Sequence, residues 1–351
     1  MSTKVNPAKC IHIYPCLPSG WSYYVDLTID HTKVDTENQT DFPVYINEHD
    51  MPAGFWTHAL ATGADVVVCL PASGRKLRRE LVSIDTTGHT MELHTRVPIL
   101  SHDIDTVLRL CYGNANGTEV NDALTWNSNF KLVSHMNDDP DTSHIKDSTS
   151  NGNNGTKKAA NEPVEAAGQV GKAQNFDGEN DYVEIADAPS IKFPTQDFTV
   201  MAYFKPTAIT GWAVLAKDTV YNGVGWTMYV WNTGQVGGIV DDNAYTPREI
   251  KTTGTISAGE QTLLVLARDS NTLRAYLNAV PDTTFNLSGW GDIDDTDSLK
   301  IGTTWGAHWA NGLIDEVRIS NTARSAGWIK TTYNNLNDVA NFYSVGAEQS
   351  L

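Results

Sequence analysis

Aromatic side chains offer the most specific chemistry in this sequence. Seven of its ten tryptophans lie in the second half: Trp212, Trp226, Trp231, Trp290, Trp305, Trp309 and Trp328. Sugars present apolar C–H faces that stack on aromatic rings, while a few polar groups fix their orientation. Trp305, His308 and Trp309 fall in TTWGAHWANG, which reads as a loop between two strand-like runs, where a tryptophan has less reason to be buried. Tyr229 and Trp231, two residues apart in GWTMYVW, share one strand face. These five are the ligand-binding candidates; the competing reading of the two strand residues is ordinary core packing.

Carboxylates are plentiful but are not arranged for catalysis. Glycoside hydrolysis needs two of them at a short fixed separation. VEIAD (Val183 to Asp187) holds a single Glu, and DIDDTD (Asp292 to Asp297) falls between strands. DIDDTD also lacks the Gly and terminal Glu of an EF-hand loop, so it reads as a solvated acidic loop. Gly-x-Ser-x-Gly, His-Glu-x-x-His and Gly-Lys-Ser patterns are all missing. The ten histidines show no metal-ligand spacing; His89 and His94, five apart on a strand, point to opposite faces. No catalytic residue is assigned, and a non-enzymatic protein is expected.

The elements that must position these residues are strands. In the first half, Trp21 to Ile29, Phe42 to Ile46, Ala64 to Leu70, Leu77 to Ile84, His89 to Val97 and Asp105 to Gly113 are short, β-branched and aromatic, with turn residues between them. From Asn137 to Gly171 the composition shifts to Asn, Asp, Ser, Thr, Gly and Ala, which reads as a long loop laid over a sandwich. Strand-like runs then resume from Ala173 to Ser320, and RSAGWIKTTYNNL (Arg324 to Leu336) is spaced like a short helix. The expected fold is all-β: two consecutive antiparallel sandwiches spanning residues 1–128 and 129–351, with the boundary near Asn127 to Phe130.

Composition bounds the partners. The 351 residues include 25 Lys plus Arg and 42 Asp plus Glu, a formal net charge of −17. That balance argues against nucleic acid or an anionic membrane surface, both of which recruit basic residues. Arg75, Lys76, Arg78 and Arg79 form a local exception, read as a solvated turn and strand edge. No apolar run approaches the roughly 20 residues of a spanning helix. Of the four cysteines, Cys69 and Cys111 sit in strand-like runs and read as small buried hydrophobes, whereas a Cys10–Cys16 bridge is left open. The first 20 residues, interrupted by His12, Pro15 and Pro18, make a poor export signal.

The order GKAQNFDGENDYVEI, FTVMAYFKP, TLRAYLNAV, SLKIGTTWGAHWANGLIDEVRISNTARS resembles laminin-G-like domains of the concanavalin A-like lectin/glucanase superfamily over roughly Phe130 to Phe342. Ala279 departs from the family, which usually has Gly there, and the usual Trp-His pair before TLLVLA is missing. The resemblance implies a jelly-roll sandwich of glycan-binding type. Its hydrolase members place a Glu, Asp and second Glu along one strand, a pattern not found here. It also implies a structural Ca2+ between Asp177 in the FDG turn and Asp315 in LIDEV, with Asp147 and Asp181 as weaker additions; turn and backbone hydrogen bonding is the alternative role of these residues. GFWTHALATGADVVV and VPILSHDIDTVLRLCYGNANG resemble an uncharacterised β-rich family found before such domains in bacterial surface and phage virion proteins. Together they imply a bacteriophage virion protein, a tail- or head-attached adhesin or decoration protein. Its partners would be a host surface glycan or other virion proteins, and it would be a homo-oligomer. The alternatives are a secreted or cell-surface bacterial carbohydrate-binding protein and an architectural virion subunit without ligand.

Overall fold

The computed structural model describes residues 20–158, 162–218, 224–242, 248–294, 296–304 and 308–351; Cys10, Cys16 and Trp305 lie outside them. Strand Tyr23–Ile29 shows why the N-terminal part forms a sheet: Val25, Leu27 and Ile29 are fully buried and alternate with less buried residues, the period of a strand with one face in a core. It pairs with Thr106–Tyr112, which in turn pairs with Val67–Leu70. A three-stranded sheet with Thr90–Leu100 between Gln39–Asn47 and Arg79–Asp85 shares the same core. Cys111 is a free, buried thiol whose pKa burial pushes up to about 12. Cys69, buried beside it, is disulfide-bonded, which corrects the reading of it as a plain hydrophobe; its partner is not among the described residues.

The second sandwich is built from two larger antiparallel sheets. One runs in the order Arg248–Thr255, Gln235–Asp241, Gly225–Val230, Trp212–Asp218, Leu299–Ile301, Tyr182–Ile185, Gly155–Lys158, His144–Ile145. The other centres on Asn311–Ser320, flanked by Lys172–Asp177 and Phe198–Pro206, and continues through Thr262–Asp269 and Thr272–Leu277. Between them lies an apolar core that includes Phe176, Phe198, Trp226 and Ile314. The segment read as a long loop, Asn137 to Gly171, instead contributes three short strands, of which His144–Ile145 and Val164–Ala167 are sheet edges and Gly155–Lys158 is paired on both sides. An edge strand needs backbone pairing on only one side, so the sparse apolar content of the two edge strands suffices.

The two sandwiches are not side-by-side beads. Met201, Tyr203, Leu263, Val265 and Tyr276, on the outer face of the second sandwich, belong to the same apolar cluster as Val25, Phe42 and Leu93. Strand Phe198–Pro206 is therefore covered on both faces, which is why all but one of its residues are buried. Ala279 joins this cluster at φ +63°, a left-handed conformation that favours glycine; its buried methyl gives a packing reason for alanine there.

The chain then returns to its beginning. Helix Ala326–Asn337, capped by Ser325 Oγ accepting from the Trp328 N–H (3.1 Å), inserts Trp328, Ile329 and Leu336 into the shared core. Strands Tyr343–Val345 and Gln349–Ser350 both pair with Tyr23–Ile29. The last strands of the unit expected over 129–351 thus complete the N-terminal sheet; strand pairing distant in sequence leaves no local signal.

Candidate functional site

Strand Gly225–Val230 sorts its side chains by alternation. Trp226, Met228 and Val230 point into the sandwich core, and Tyr229 points to the opposite face of the sheet, where Trp231 joins it. Their rings meet edge to face, 5.1 Å apart, flanked by Ala213 and Ile239 in a small cluster separate from both main cores. The Tyr229 hydroxyl lies 3.0 Å from His308 Nδ1, and burial lowers the His308 pKa, so the imidazole is neutral at pH 7. The Lys251 ammonium sits 4.7 Å from the Trp231 ring centroid, a cation–π arrangement. Trp309 stands 5.9 Å from Tyr182 on the same sheet. Four of the five expected ligand-binding residues thus share this side of the sheet, with Tyr229 in contact with both Trp231 and His308. Tyr229 and Trp231 are largely buried, so packing accounts for much of their surface.

The expected calcium ligands are not brought together. Asp177 is exposed, lies opposite Asn311 in the strand register, and accepts from the Glu179 and Asn180 N–H groups at 2.8 and 3.4 Å as an ordinary turn residue. Asp315 is four residues further along that strand, about 13 Å away at about 3.3 Å per residue. Its Oδ2 accepts from the Val170 N–H at 2.9 Å, and burial together with Glu316 pushes its carboxyl well above the usual range. Asp147 is buried and accepts from the N–H groups of Val133, Thr149 and Asn153, holding its loop shut. Asp181 is buried with Oδ1 unpartnered among the described residues, and burial pushes its carboxyl up to about 6.

DIDDTD is also not simply solvated. Asp294 is buried, accepts from the Phe193 N–H (2.6 Å) and pairs with the buried Lys217 ammonium at 3.0 Å. Glu184 and Glu316 lie in different sheets: Glu184 pairs with Lys158 at the surface, while Glu316 is sealed in the interior. The basic cluster lines a cleft of about 540 Å³, where Lys76 pairs with Glu119 and Arg78 with Asp122. Arg79, read as part of a solvated edge, is instead buried and donates to Gly63 O (3.0 Å).

One constellation has no signature in the sequence. Where the two sandwiches meet, Glu92 and His94 from strand Thr90–Leu100 face His135 and Glu316, and all four are buried. The His94 and His135 rings stack with centroids 4.7 Å apart. This overturns the reading that the histidines offer no ligand geometry. A β-bulge creates it: Met201 pairs with Arg318 and Tyr203 with Asp315, so Glu316 and Val317 both oppose Ala202. Ile314, Val317 and Ile319 fill the sandwich core, while Glu316, at φ +50°, and Arg318 turn to the interface.

A family model described as the concanavalin A-like lectin/glucanases superfamily matches residues 177–330. No curated protein matches the chain. Among solved structures, the binding domain of Paraclostridial Mosquitocidal Protein 1 is 14% identical with a TM-score of 0.49, covering 59% of this chain and 52% of that one. Domain 4 of an extracellular arabinanase from Geobacillus stearothermophilus, in complex with arabinotriose, is 20% identical with a TM-score of 0.47, covering 57% and 98%. The botulinum neurotoxin serotype D ligand binding domain in complex with N-acetylneuraminic acid is 10% identical with a TM-score of 0.47, covering 60% and 52%. The chain spans about half the length of the two toxin domains.

Proposed function

For a chain whose residues 177–330 match the model of the concanavalin A-like lectin/glucanases superfamily, we propose a non-enzymatic glycan-binding role. The observation that carries it is the joining of Tyr229, Trp231 and His308 on the sheet face turned away from the sandwich core. An aromatic pair with a neutral imidazole and a nearby ammonium supplies the apolar platform and polar handles that a sugar ring needs. The separation of Glu184 from Glu316 supports a binder over a hydrolase, because hydrolysis needs two carboxylates across one bond.

The finer reading is a bacteriophage virion protein, attached to tail or head, that engages a host surface glycan and assembles with itself or other virion proteins. It draws support from the likeness of the N-terminal sequence to a family of phage and bacterial surface proteins. A structural Ca2+ fits the Phe176–Tyr182 hairpin better than Asp315, since Asp181 Oδ1 and Asn180 Oδ1 are buried acceptors there with no partner among the described residues.

A glycan array probed with the intact chain and with Trp231→Ala tests the binding role. Specific binding that falls at least tenfold in the variant supports it; no binding to any glycan, or binding unchanged in a folded variant, removes it. Mass spectrometry of purified particles against bacterial envelope fractions separates the virion from the cell-surface alternative.

A further inference from the structure

We propose that Glu92, His94, His135 and Glu316 form a binding site for one divalent transition-metal ion, Zn2+ or a close analogue, that bridges the two sandwiches. Two imidazole nitrogens and two carboxylate oxygens, one ligand atom from each residue, lie within 4.8 Å of one another. That mixed N2O2 set suits a borderline ion such as Zn2+ better than a hard ion such as Ca2+.

Distances favour the assignment. Glu92 Oε1 lies 3.4 Å from His94 Nε2 and 3.3 Å from His135 Nδ1. Tetrahedral bonds of about 2.0 Å place neighbouring ligands about 3.3 Å apart. His135 Nδ1 and Glu316 Oε1 are closer, at 2.5 Å, sharing the proton that an ion would displace with an opening of under about 1 Å.

The outer contacts are those of a ligand set. His135 Nε2 faces Glu80 Oε2 at 3.5 Å, and that oxygen accepts from the Trp126 indole N–H at 2.6 Å. A carboxylate behind an imidazole fixes the ring and leaves its other nitrogen for a metal. The Arg318 Nε–H donates to Glu316 Oε2 at 2.7 Å, leaving Oε1 for the ion. Only His94 is poorly satisfied by protein: its ring is fully buried, Nδ1 has no partner among the described residues, and Nε2 makes one long contact.

Charge points the same way. Three buried carboxyl side chains, Glu80, Glu92 and Glu316, meet a single buried guanidinium in contact with them among the described residues, that of Arg318. Arg324, the next cation, is turned to Ser320 Oγ and to the rings of Phe130 and Trp328. Uncompensated buried charge is costly, so a bridging dication would stabilise the junction.

The test uses the full chain, refolded with Zn2+, Mn2+ or no metal, then desalted and analysed for metal content. Expected are about one retained equivalent per chain, a melting temperature higher by about 5 °C, and tetrahedral visible absorption when Co2+ is substituted. His135→Gln and Glu92→Gln should lose retention, whereas Asp105→Asn, which removes the exposed Asp30–His31–Asp105 group, should not. Should the interface variants fail to fold, metal content and the Co2+ spectrum of the unaltered chain decide. No retained metal with an unchanged melting curve overturns the proposal and leaves a proton-sharing network. Retention lost in Asp105→Asn, or kept in folded His135→Gln, overturns it by placing the ion elsewhere.

Discussion

Asn335 binds the backbone of Tyr45 at both ends: its Oδ1 accepts from the Tyr45 N–H at 2.7 Å and its Nδ2 donates to the Tyr45 carbonyl at 3.0 Å. Tyr45 lies on strand Gln39–Asn47, an edge of the three-stranded sheet, so one side chain from the C-terminal helix completes an edge that would otherwise expose its polar groups. Asn335→Leu keeps the volume and removes both bonds. It should cost about 2–4 kcal/mol, since a buried N–H and C=O both lose partners, read as a fall in the denaturant midpoint. A change below about 0.5 kcal/mol would mean that another group satisfies this edge.

The shared apolar cluster predicts that the halves do not separate cleanly. A fragment of residues 130–351 would expose Met201, Tyr203, Leu263, Val265 and Tyr276, together with the buried side of the C-terminal helix. Such a patch drives association. The fragment should aggregate or melt without cooperativity, whereas co-expression with residues 1–129 should restore solubility. A monomeric fragment with a sharp transition would show that the interface is dispensable.

Lys217 is buried between Asp187 and Asp294, with its ammonium 3.0 Å from each carboxylate. Lys217→Met should cost about 3–5 kcal/mol, because it breaks the buried pair with Asp294. Adding Asp294→Asn should recover part of that loss in chemical denaturation; a double variant no better than the single would mean that the charge is met elsewhere.

Asp181 gives a pH dependence with a definite sign. Its pKa rises from 3.8 to about 6 on folding, chiefly through burial, so the folded state favours the protonated form. The associated stability is present below the unfolded value and is lost as pH rises through about 6. In chelator at about pH 7.5, Asp181→Asn should raise stability by about 1–2 kcal/mol, discounted for partial screening, and should change little near pH 4. If Ca2+ occupies the hairpin, adding it should abolish this gain in the parent chain, and equal melting curves with Ca2+ and with chelator would remove the ion from the reading.

Tyr229→Phe removes the hydroxyl facing His308 and leaves the ring in place. Stability should fall by about 1 kcal/mol, and glycan affinity should fall more than Trp stacking alone predicts if the hydroxyl and imidazole orient a ligand. An unchanged affinity would reduce the pair to packing.

The sequence alone determined what local chemistry controls. Alternating apolar residues in runs such as Tyr23–Ile29 dictate strands, and the two-residue step from Tyr229 to Trp231 dictates a common face, because both follow from the period of an extended chain. The helix after Ser325 was equally legible from its spacing. Only the tertiary structure decided that this helix and the final strands close the N-terminal sheet, that Asp177 and Asp315 stay apart, and that His94 meets His135. Each of those outcomes depends on register, on one bulge at Glu316 and on contacts between residues far apart in sequence. A one-residue change in register moves a side chain to the opposite face of a sheet, so these pairings follow from how the sheets pack rather than from spacing along any single strand.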